Sequence, residues 1–136
     1  MKDVTHYSHF LKDRSLDNIV QSVYELKAKF FSDKSSNILI FCHQRLEVDA
    51  LASELRHRNS QSENFNKIFH IHGDFNQNER NQVVSNFQLA GGNVLIGTSA
   101  MARGMDLPKV DLVIHLGTRQ HSAQDYIHRL KFSIVL

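Results

Sequence analysis

Three short segments of the chain concentrate arginine, glycine and hydroxyl residues, a combination that suits the recognition of anions. Arg45, Arg80 and Arg103 carry forked guanidinium groups that match phosphate or carboxylate oxygens. Gly73 lets the backbone approach a ligand closely, and a helix that begins near Asn76 would offer free backbone N–H groups. Several phosphates spaced along a strand match this pattern better than one compact anion. The segments are 42–45 (CHQR), 72–80 (HGDFNQNER) and 98–106 (TSAMARGMD).

Each polar segment directly follows an apolar run that predicts a buried β-strand, and a fourth run comes after them. The runs are rich in Ile, Leu and Val and do not alternate cleanly with polar residues, which is typical of strands covered on both faces of a parallel sheet. Ligands bind outside the carboxyl ends of such strands, so we expect the polar segments to meet at one rim of the sheet. The predicted strands are Asn37–Cys42, Lys67–His72, Asn93–Thr98 and Val110–Leu116.

Helical patterns, with apolar residues three and four positions apart, lie between and around these strands. Ser15 is a predicted N-cap. Asn76, with Glu79 three residues later, predicts the start of another helix, which the Gly91-Gly92 pair ends. Alternating helices and strands predict an open α/β domain with a parallel sheet. The further predictions are helices over 15–30 and 45–57, a helix from Ser122, a polar loop over 59–66, and an edge element or frayed tail over 132–136.

The composition is that of an ordinary globular domain, and residues 1–136 are predicted to form a single one. Hydrophobic residues make up 41% and charged residues 22%, and the formal net charge of +2 is too weak to imply nucleic acid or a membrane by itself. Cys42 is the single cysteine, so no internal disulfide can form and an intracellular location is expected. No apolar run is long enough to cross a bilayer, and no membrane partner is predicted.

The nine histidines raise the question of a metal site. His70 and His72 fall on one face of a predicted strand. No cysteine pair or carboxylate lies at ligand spacing from them along the sequence, and we therefore predict no metal site. Cys42, at the end of a strand, is interpreted as a small buried hydrophobic residue.

The polar segments resemble the second RecA-like domain of superfamily 2 helicases, and most closely that of DEAD-box RNA helicases. ILIFCHQR resembles motif IV, HGDFNQNER resembles the HGD and Q-x-x-R segment, VLIGTSAMARGMDLPKVDLVIH resembles motif V, and YIHR resembles the start of motif VI. The ordered resemblance covers residues 7–129. It implies a RecA-like open parallel sheet flanked by helices, and a fragment of a superfamily 2 DNA helicase is an alternative.

The resemblance also implies roles for individual residues. RNA contacts in this family go mainly to the sugar-phosphate backbone, so binding to single-stranded RNA would be independent of sequence and sensitive to salt. Asp106 matches a position on the nucleotide side, and His128 and Arg129 match residues that couple the two domains to the ATP site. The positions that match RNA-facing or supporting residues are Arg45, Gly73, Gln77, Arg80, Thr98 and Arg103.

Several departures from the family pattern bear on activity. Ser99 stands where the family usually has aspartate, and Gln44 replaces the usual threonine. The segment after His128-Arg129 carries neither of the two later arginines of motif VI, which stabilise negative charge on the transferring phosphoryl group. The expected closing strand and helix are also missing from the pattern after Lys131, so the fold is predicted to be incomplete at its C-terminus.

The sequence contains neither a Walker A motif nor an Asp-Glu-Ala-Asp sequence, which bind phosphates and Mg²⁺ in the first domain of such helicases. ATP and Mg²⁺ are therefore expected as ligands of a complete two-domain helicase, and not as stable ligands of this chain alone. The implied partners are RNA and an N-terminal RecA-like domain that these 136 residues are expected to lack. The isolated chain is expected to be inactive, and a non-catalytic RNA-binding or regulatory module is the alternative.

Overall fold

The computed structural model describes residues 4–8, 11, 13–31, 35–98, 107, 110–117 and 130–136. The strands in these residues belong to one sheet with the order β1-β6-β5-β2-β4-β3, and every neighbouring pair is parallel. This confirms the predicted α/β domain with an open parallel sheet. The elements are β1 (Thr5–Ser8), α1 (Leu16–Phe30), β2 (Ile38–Cys42), α2 (Arg45–Ser62), β3 (Ile68–Ile71), α3 (Gln77–Leu89), β4 (Val94–Thr98), β5 (Leu112–His115) and β6 (Phe132–Val135).

The four predicted strands are confirmed, and each is one or two residues shorter than predicted at one or both ends. β2 is central in the sheet and pairs with β4 on one side and β5 on the other, so that Ile40 lies opposite both Ile96 and Ile114. β2 and β5 are buried over their whole length. Burial on both faces explains why these runs show no alternation of apolar and polar residues.

Both faces of the sheet are packed, because successive side chains of a strand point to opposite sides. Ile38 and Ile40 belong to one core cluster, which residues of α1 and α2 cover. Leu39 and Phe41 belong to a second cluster, which includes Phe87 of α3. A three-layer arrangement of helix, sheet and helix follows from this division.

The predicted starts of α1 and α3 are confirmed. Ser15 Oγ accepts a hydrogen bond from the Asn18 N–H (3.2 Å). Asn76 Oδ1 accepts from the Glu79 N–H (2.8 Å), and the Glu79 carboxylate accepts from the Asn76 N–H (2.9 Å). These bonds satisfy amides that helix geometry leaves without intrahelical partners. The helix predicted from Ser122 lies outside the described residues, and within the described ones no helix has the length and apolarity to cross a membrane.

α2 is longer than predicted, because it continues to Ser62 through the first half of the predicted loop over 59–66. Asn59 stabilises this last turn, since its Oδ1 accepts from the Phe65 N–H (2.8 Å) and its Nδ2 donates to the Phe65 carbonyl (3.0 Å). The helix ends at Glu63, which has a left-handed φ of 53°. The polar composition misled the prediction, since an exposed helical face needs no apolar residues.

Phe132–Val135 forms β6, an inner strand between β5 and β1, and not the predicted edge element or frayed tail. Ile134 is fully buried, and the Leu136 N–H donates to the His115 carbonyl (2.8 Å) at the end of the strand. The segment after Lys131, in which the sequence pattern showed no closing strand, thus contributes an inner strand to the sheet. β1, at Thr5–Ser8, was not predicted, because a short exposed strand carries no apolar signal.

A buried polar network joins the amino-terminal ends of β2, β4 and β5. Asp111 Oδ2 accepts from the Asn37 N–H (3.0 Å), and Asn37 Oδ1 accepts from the Asn93 N–H (2.9 Å). Asn93 Nδ2 then donates to the carbonyls of Phe87 (2.9 Å) and Ala90 (3.1 Å). Buried polar groups cost free energy unless they are hydrogen-bonded. This amino-terminal rim (Asn37, Asn93 and Asp111) therefore fixes the three central strands relative to one another.

Candidate nucleic-acid interface

The polar segments that follow β2, β3 and β4 lie side by side at the opposite rim of the sheet. β4 pairs with both neighbours, which sets Cys42 opposite Thr98 and Ile71 opposite Gly97. The chain leaves all three strands at this rim, so the predicted meeting of the segments is confirmed for their described residues. We call this set of residues the carboxyl rim. It contains the predicted site residues that the structure describes there, together with Asp74, and its members are Arg45, Gly73, Asp74, Gln77, Arg80 and Thr98.

A direct ion pair joins two of these segments. Nη1 of Arg45, the first residue of α2, contacts Oδ2 of Asp74 in the segment after β3. The two side chains are 50% and 66% exposed, so solvent screens the pair, and it contributes at most about 1 kcal/mol to stability. A phosphate oxygen can therefore compete with Asp74 for the guanidinium group, which makes Arg45 accessible to an anionic ligand.

Gly73 lies next to Asp74 in open space, since a Cβ atom added there would meet no heavy atom within 4 Å. Packing within the described part of the chain therefore does not require a glycine at this position. The open space is what a close approach of a ligand to the backbone needs. Thr98, at the end of β4, is half-buried and completes the row of segments.

The first turn of α3 brings Gln77 and Arg80 together. Gln77 Oε1 accepts from Arg80 Nη2 (2.9 Å), and Gln77 Nε2 donates to Asn81 Oδ1 (2.8 Å). Gln77 is exposed and Arg80 is half-buried. The hydrogen bond restricts the rotamers of the Arg80 guanidinium before any ligand binds, which lowers the ordering cost of binding.

The N-terminus of α3 is less open to an anion than the sequence suggests. The Glu79 carboxylate already accepts from the Asn76 N–H, and Asn76 Oδ1 occupies the Glu79 N–H. A carboxylate here interacts with the same partial positive charge that a phosphate would use. Arginine side chains, and not this helix end, are therefore the principal candidates for anion binding among the described residues.

Four predicted site residues lie outside the described residues, and so does Ser99. The four are Arg103, Asp106, His128 and Arg129. The other five predicted site residues lie at the carboxyl rim, and they are Arg45, Gly73, Gln77, Arg80 and Thr98. The sequence did not reveal the contact between Arg45 and Asp74, because they belong to different segments and only the sheet makes them neighbours.

The structure also brings a carboxylate to His70 and His72, which sequence spacing did not reveal. Asp49 Oδ1 lies 3.3 Å from His72 Nε2 and 3.9 Å from His70 Nε2. The ligand-type atoms of the three side chains all lie within 4.8 Å of one another. Asp49 comes from α2, which packs against β3. The prediction considered distance along the chain only, so it missed a residue that the packing of α2 supplies.

Two titratable groups near this region have shifted pKa values. Burial, and then the charge of Arg56, lower the pKa of His70, which favours the neutral ring. Burial, with a smaller effect of Glu47, raises the pKa of the Cys42 thiol to about 12. A thiol this far from ionisation is a poor nucleophile, which agrees with the interpretation of Cys42 as a buried hydrophobic residue.

An open parallel sheet, with helices on both faces and arginine-bearing segments at the carboxyl rim, is a doubly wound α/β domain. The sequence profile of the family described as "helicase conserved C-terminal domain" matches residues 15–131. The chain therefore belongs to this family, and it shares its fold with domains of DEAD-box helicases.

Curated relatives are RNA helicases of greater length. The chain is 35% identical over 121 residues to the ATP-dependent RNA helicase DBP3 of Lodderomyces elongisporus, a match that covers 89% of this chain and 20% of that protein. It is 35% identical over 92 residues to the ATP-dependent RNA helicase FAL1 of Candida glabrata, covering 68% of this chain and 21% of that protein. The chain thus spans about a fifth of the length of these relatives.

Solved structures share the fold at lower sequence identity. Domain 2 of the DEAD-box helicase Mss116p, bound to an RNA duplex, has a TM-score of 0.71 at 20% identity and covers 98% of this chain and 54% of that one. The Escherichia coli DEAD-box protein SrmB, bound to RraA, has a TM-score of 0.70 at 22% identity, and the match covers 100% of this chain and 78% of that one. The Mycobacterium smegmatis helicase Lhr, bound to single-stranded DNA and AMP-PNP, has a TM-score of 0.62 at 18% identity, and the match covers 98% of this chain and 19% of that one. The fold therefore occurs in both RNA-bound and DNA-bound helicases.

Proposed function

We propose that this chain is the RNA-binding and ATP-coupling half of a DEAD-box-type ATP-dependent RNA helicase. The observation that carries the proposal is the carboxyl rim, where an accessible Arg45 and a preoriented Arg80 lie on neighbouring segments. The family supports it, because the curated relatives are ATP-dependent RNA helicases. A structural neighbour of the same fold is a helicase domain bound to an RNA duplex.

The rim suits a nucleic-acid backbone better than bases. Arg45 and Arg80 present guanidinium groups, which bind phosphate oxygens in pairs of hydrogen bonds. Gly73 leaves room for the backbone to come close, and the Thr98 hydroxyl suits a sugar 2′-OH. Contacts of this kind position a strand without reading its sequence, so the affinity should be independent of sequence and should fall as salt rises.

ATP and Mg²⁺ belong to the complete two-domain protein in this proposal. The 136 residues contain no Walker A motif and no Asp-Glu-Ala-Asp sequence, so an N-terminal RecA-like domain supplies the phosphate and metal contacts. Asp106 is proposed to face the nucleotide, and His128 and Arg129 are proposed to couple RNA binding to the first domain. The isolated chain then binds RNA without turning over ATP.

Fluorescence anisotropy with a labelled single-stranded RNA tests the RNA part of the proposal. We expect the purified chain to bind at low salt and to release the RNA as salt rises. Arg45→Ala and Arg80→Ala should each weaken binding roughly fivefold, since a lost charge-assisted contact to a phosphate amounts to about 1 kcal/mol net. The same measurement with a DNA strand of equal sequence distinguishes the alternatives, because tighter binding to DNA would favour a DNA helicase.

Arg58→Ala is the matched control. Arg58 lies on the same helix as Arg45 but toward its other end, where it pairs with Asp17 and Glu54. The change in net charge is identical, so a general charge effect would weaken all three variants equally and would contradict the assignment of the rim. For the ATP part, RNA-stimulated phosphate release by the purified chain in a malachite-green assay would show that the isolated domain is active, contrary to the proposal.

A further inference from the structure

We propose that Asp49, His70 and His72 form a binding site for a borderline divalent transition-metal cation, of which Zn²⁺ is the representative. The three side chains converge from α2 and from β3 and the residue after it. They are not among the residues of the carboxyl rim, although His72 precedes Gly73 and accepts a hydrogen bond from the Asp74 N–H, and the proposal is tested by metal binding alone.

The distances between the ligand atoms match a tetrahedral cation. Bonds of about 2.0–2.2 Å from Zn²⁺ to nitrogen and oxygen place neighbouring ligand atoms roughly 3.3 Å apart. Asp49 Oδ1 and His72 Nε2 already have this separation, at 3.3 Å. Asp49 Oδ1 and His70 Nε2 are 3.9 Å apart, and one ligand-type atom from each of the three side chains lies within 4.8 Å of the other two. A modest closure of the His70 ring therefore completes the site.

The ligand types select the class of cation. Imidazole nitrogen suits Zn²⁺, Ni²⁺ and Cu²⁺, whereas Mg²⁺ and Ca²⁺ prefer sites made of oxygen atoms. Three protein ligands leave a fourth position for water, as in open zinc sites. The Asp49 side chain is 48% exposed, the His70 side chain 28% and the His72 side chain 10%, so the site is most open to solvent at the carboxylate and most closed at His72.

Packing restricts both imidazole rings before any ion binds. His70 and His72 are two positions apart on an extended segment, which directs their side chains to the same face. The Phe75 ring packs nearly perpendicular to both, with its centroid 4.9 Å from that of His72 and 5.6 Å from that of His70. Rings held in this way lose little rotamer freedom when they bind a metal.

The hydrogen bonds of the rings assign their protons in the metal-free state. Arg56 Nη2 lies 2.8 Å from His70 Nδ1, and the Asp74 N–H donates to His72 Nδ1 (3.3 Å). Arginine and a backbone N–H have no acceptor here, so Nδ1 of each ring accepts, and Nε2 carries the ring proton and faces Asp49. The same geometry thus allows N–H···O hydrogen bonds when no cation is bound.

A cation on Nε2 requires the ring proton to move to Nδ1, with no net proton release. Arg56 can give up its bond to His70, because the Ile68 carbonyl already accepts from its Nε (3.1 Å) and Nη2 (2.9 Å). The bond from the Asp74 N–H to His72 is long and is correspondingly weak. Metal binding therefore has a specific signature, which is a change of tautomer in two histidines.

Isothermal titration of the untagged, metal-free chain with Zn²⁺ tests the proposal. We expect one site, with Asp49→Asn and His70→Gln each weakening it at least about tenfold, and no comparable site for Mg²⁺. Asp49 is half-exposed and Asp49→Asn keeps its shape, so this variant should fold like the wild type. Asp17→Asn and His57→Gln replace an exposed carboxylate and an exposed histidine elsewhere, and they should bind Zn²⁺ like the wild type.

Long-range ¹H–¹⁵N spectra of the histidine rings provide the second measurement. Zn²⁺ should convert His70 and His72 from the Nε2-protonated to the Nδ1-protonated form and should leave His57 unchanged. Wild-type affinity in Asp49→Asn and His70→Gln, unchanged tautomers, or no binding of Zn²⁺ would each overturn the proposal. The three side chains would then be a hydrogen-bonded cluster only.

Discussion

The two rims of the sheet are both polar, but they differ in burial. At the amino-terminal rim, Asn37, Asn93 and Asp111 are at most 2% exposed, and hydrogen bonds join them to one another and to the backbone. At the carboxyl rim, the Arg45 and Asp74 side chains are 50% and 66% exposed and contact each other. The first rim connects strands through the interior, whereas the second connects segments across the surface.

This difference in burial predicts that the amino-terminal rim contributes to folding stability and that the carboxyl rim is available for binding a ligand. Removing a buried hydrogen-bonding group leaves its partners unsatisfied, at a cost of about 1–3 kcal/mol. Water replaces an exposed partner at little cost. A polar side chain that contributes little to folding is available to a ligand. Substitutions at the amino-terminal rim should therefore reduce stability without changing RNA affinity, and substitutions at the carboxyl rim should do the reverse.

Asn93→Ala should have the largest effect on stability. The change removes the side-chain donor to the Phe87 and Ala90 carbonyls and the acceptor for the Lys67 N–H. We expect a loss of about 3 kcal/mol in the free energy of unfolding, measured by urea denaturation with an unchanged m-value. Asn64→Ala, at an exposed asparagine, should change the free energy of unfolding by less than about 0.5 kcal/mol. Equal losses would contradict the structural role of the buried network.

Gly91→Ala and Gly73→Ala compare the two rims with the same chemical change. A Cβ at Gly91 would lie 2.3 Å from the Ser35 carbonyl oxygen and 2.7 Å from its Cα, whereas at Gly73 it meets nothing within 4 Å. Gly91→Ala should therefore cost about 2 kcal/mol, visible as a lower melting temperature. Gly73→Ala should melt like the wild type but bind RNA more weakly. A melting temperature that falls equally in both variants would argue against open space at Gly73.

Asp74→Asn should have the smallest effect, and its sign is informative. The substitution removes the charge that competes with phosphate for Arg45 but keeps the size of the side chain. We expect RNA affinity at low salt to rise by up to about fivefold, because the exposed pair amounts to no more than about 1 kcal/mol. Asp17→Asn makes the same change in net charge beside Arg58. An equal gain in that variant would mean that net charge, and not release of Arg45, causes the effect.

Much of the fold could be predicted, because local sequence determines it. The Ile-, Leu- and Val-rich runs of β2, β4 and β5 identify strands that are buried on both faces. Ser15 and Asn76 identify two helix starts, since side-chain caps depend only on neighbouring residues. β6 was predicted only as an edge element or a frayed tail, and the edge strand β1 was not predicted, because pairing between the two ends of the chain is a long-range property.

The grouping of the candidate residues at one rim was predictable, but the contacts between them were not. Resemblance to helicases selected Arg45, Gln77 and Arg80, and the structure places them at one rim. It did not show that Asp74 pairs with Arg45. It also did not show that Asp49 reaches the two histidines, because a helix packed on a strand brings together residues that are distant along the chain.

The salt dependence of RNA binding by the wild type and by Arg45→Ala tests the central claim most directly. Each phosphate contact contributes about 0.7 to the slope of log affinity against log salt for a single strand. Arg45→Ala should therefore show weaker binding and a slope that is smaller by about this amount, while Gly91→Ala keeps the wild-type slope. If Arg45→Ala retains both the affinity and the slope of the wild type, Arg45 does not contact the RNA backbone, and the carboxyl rim is not the RNA-binding surface.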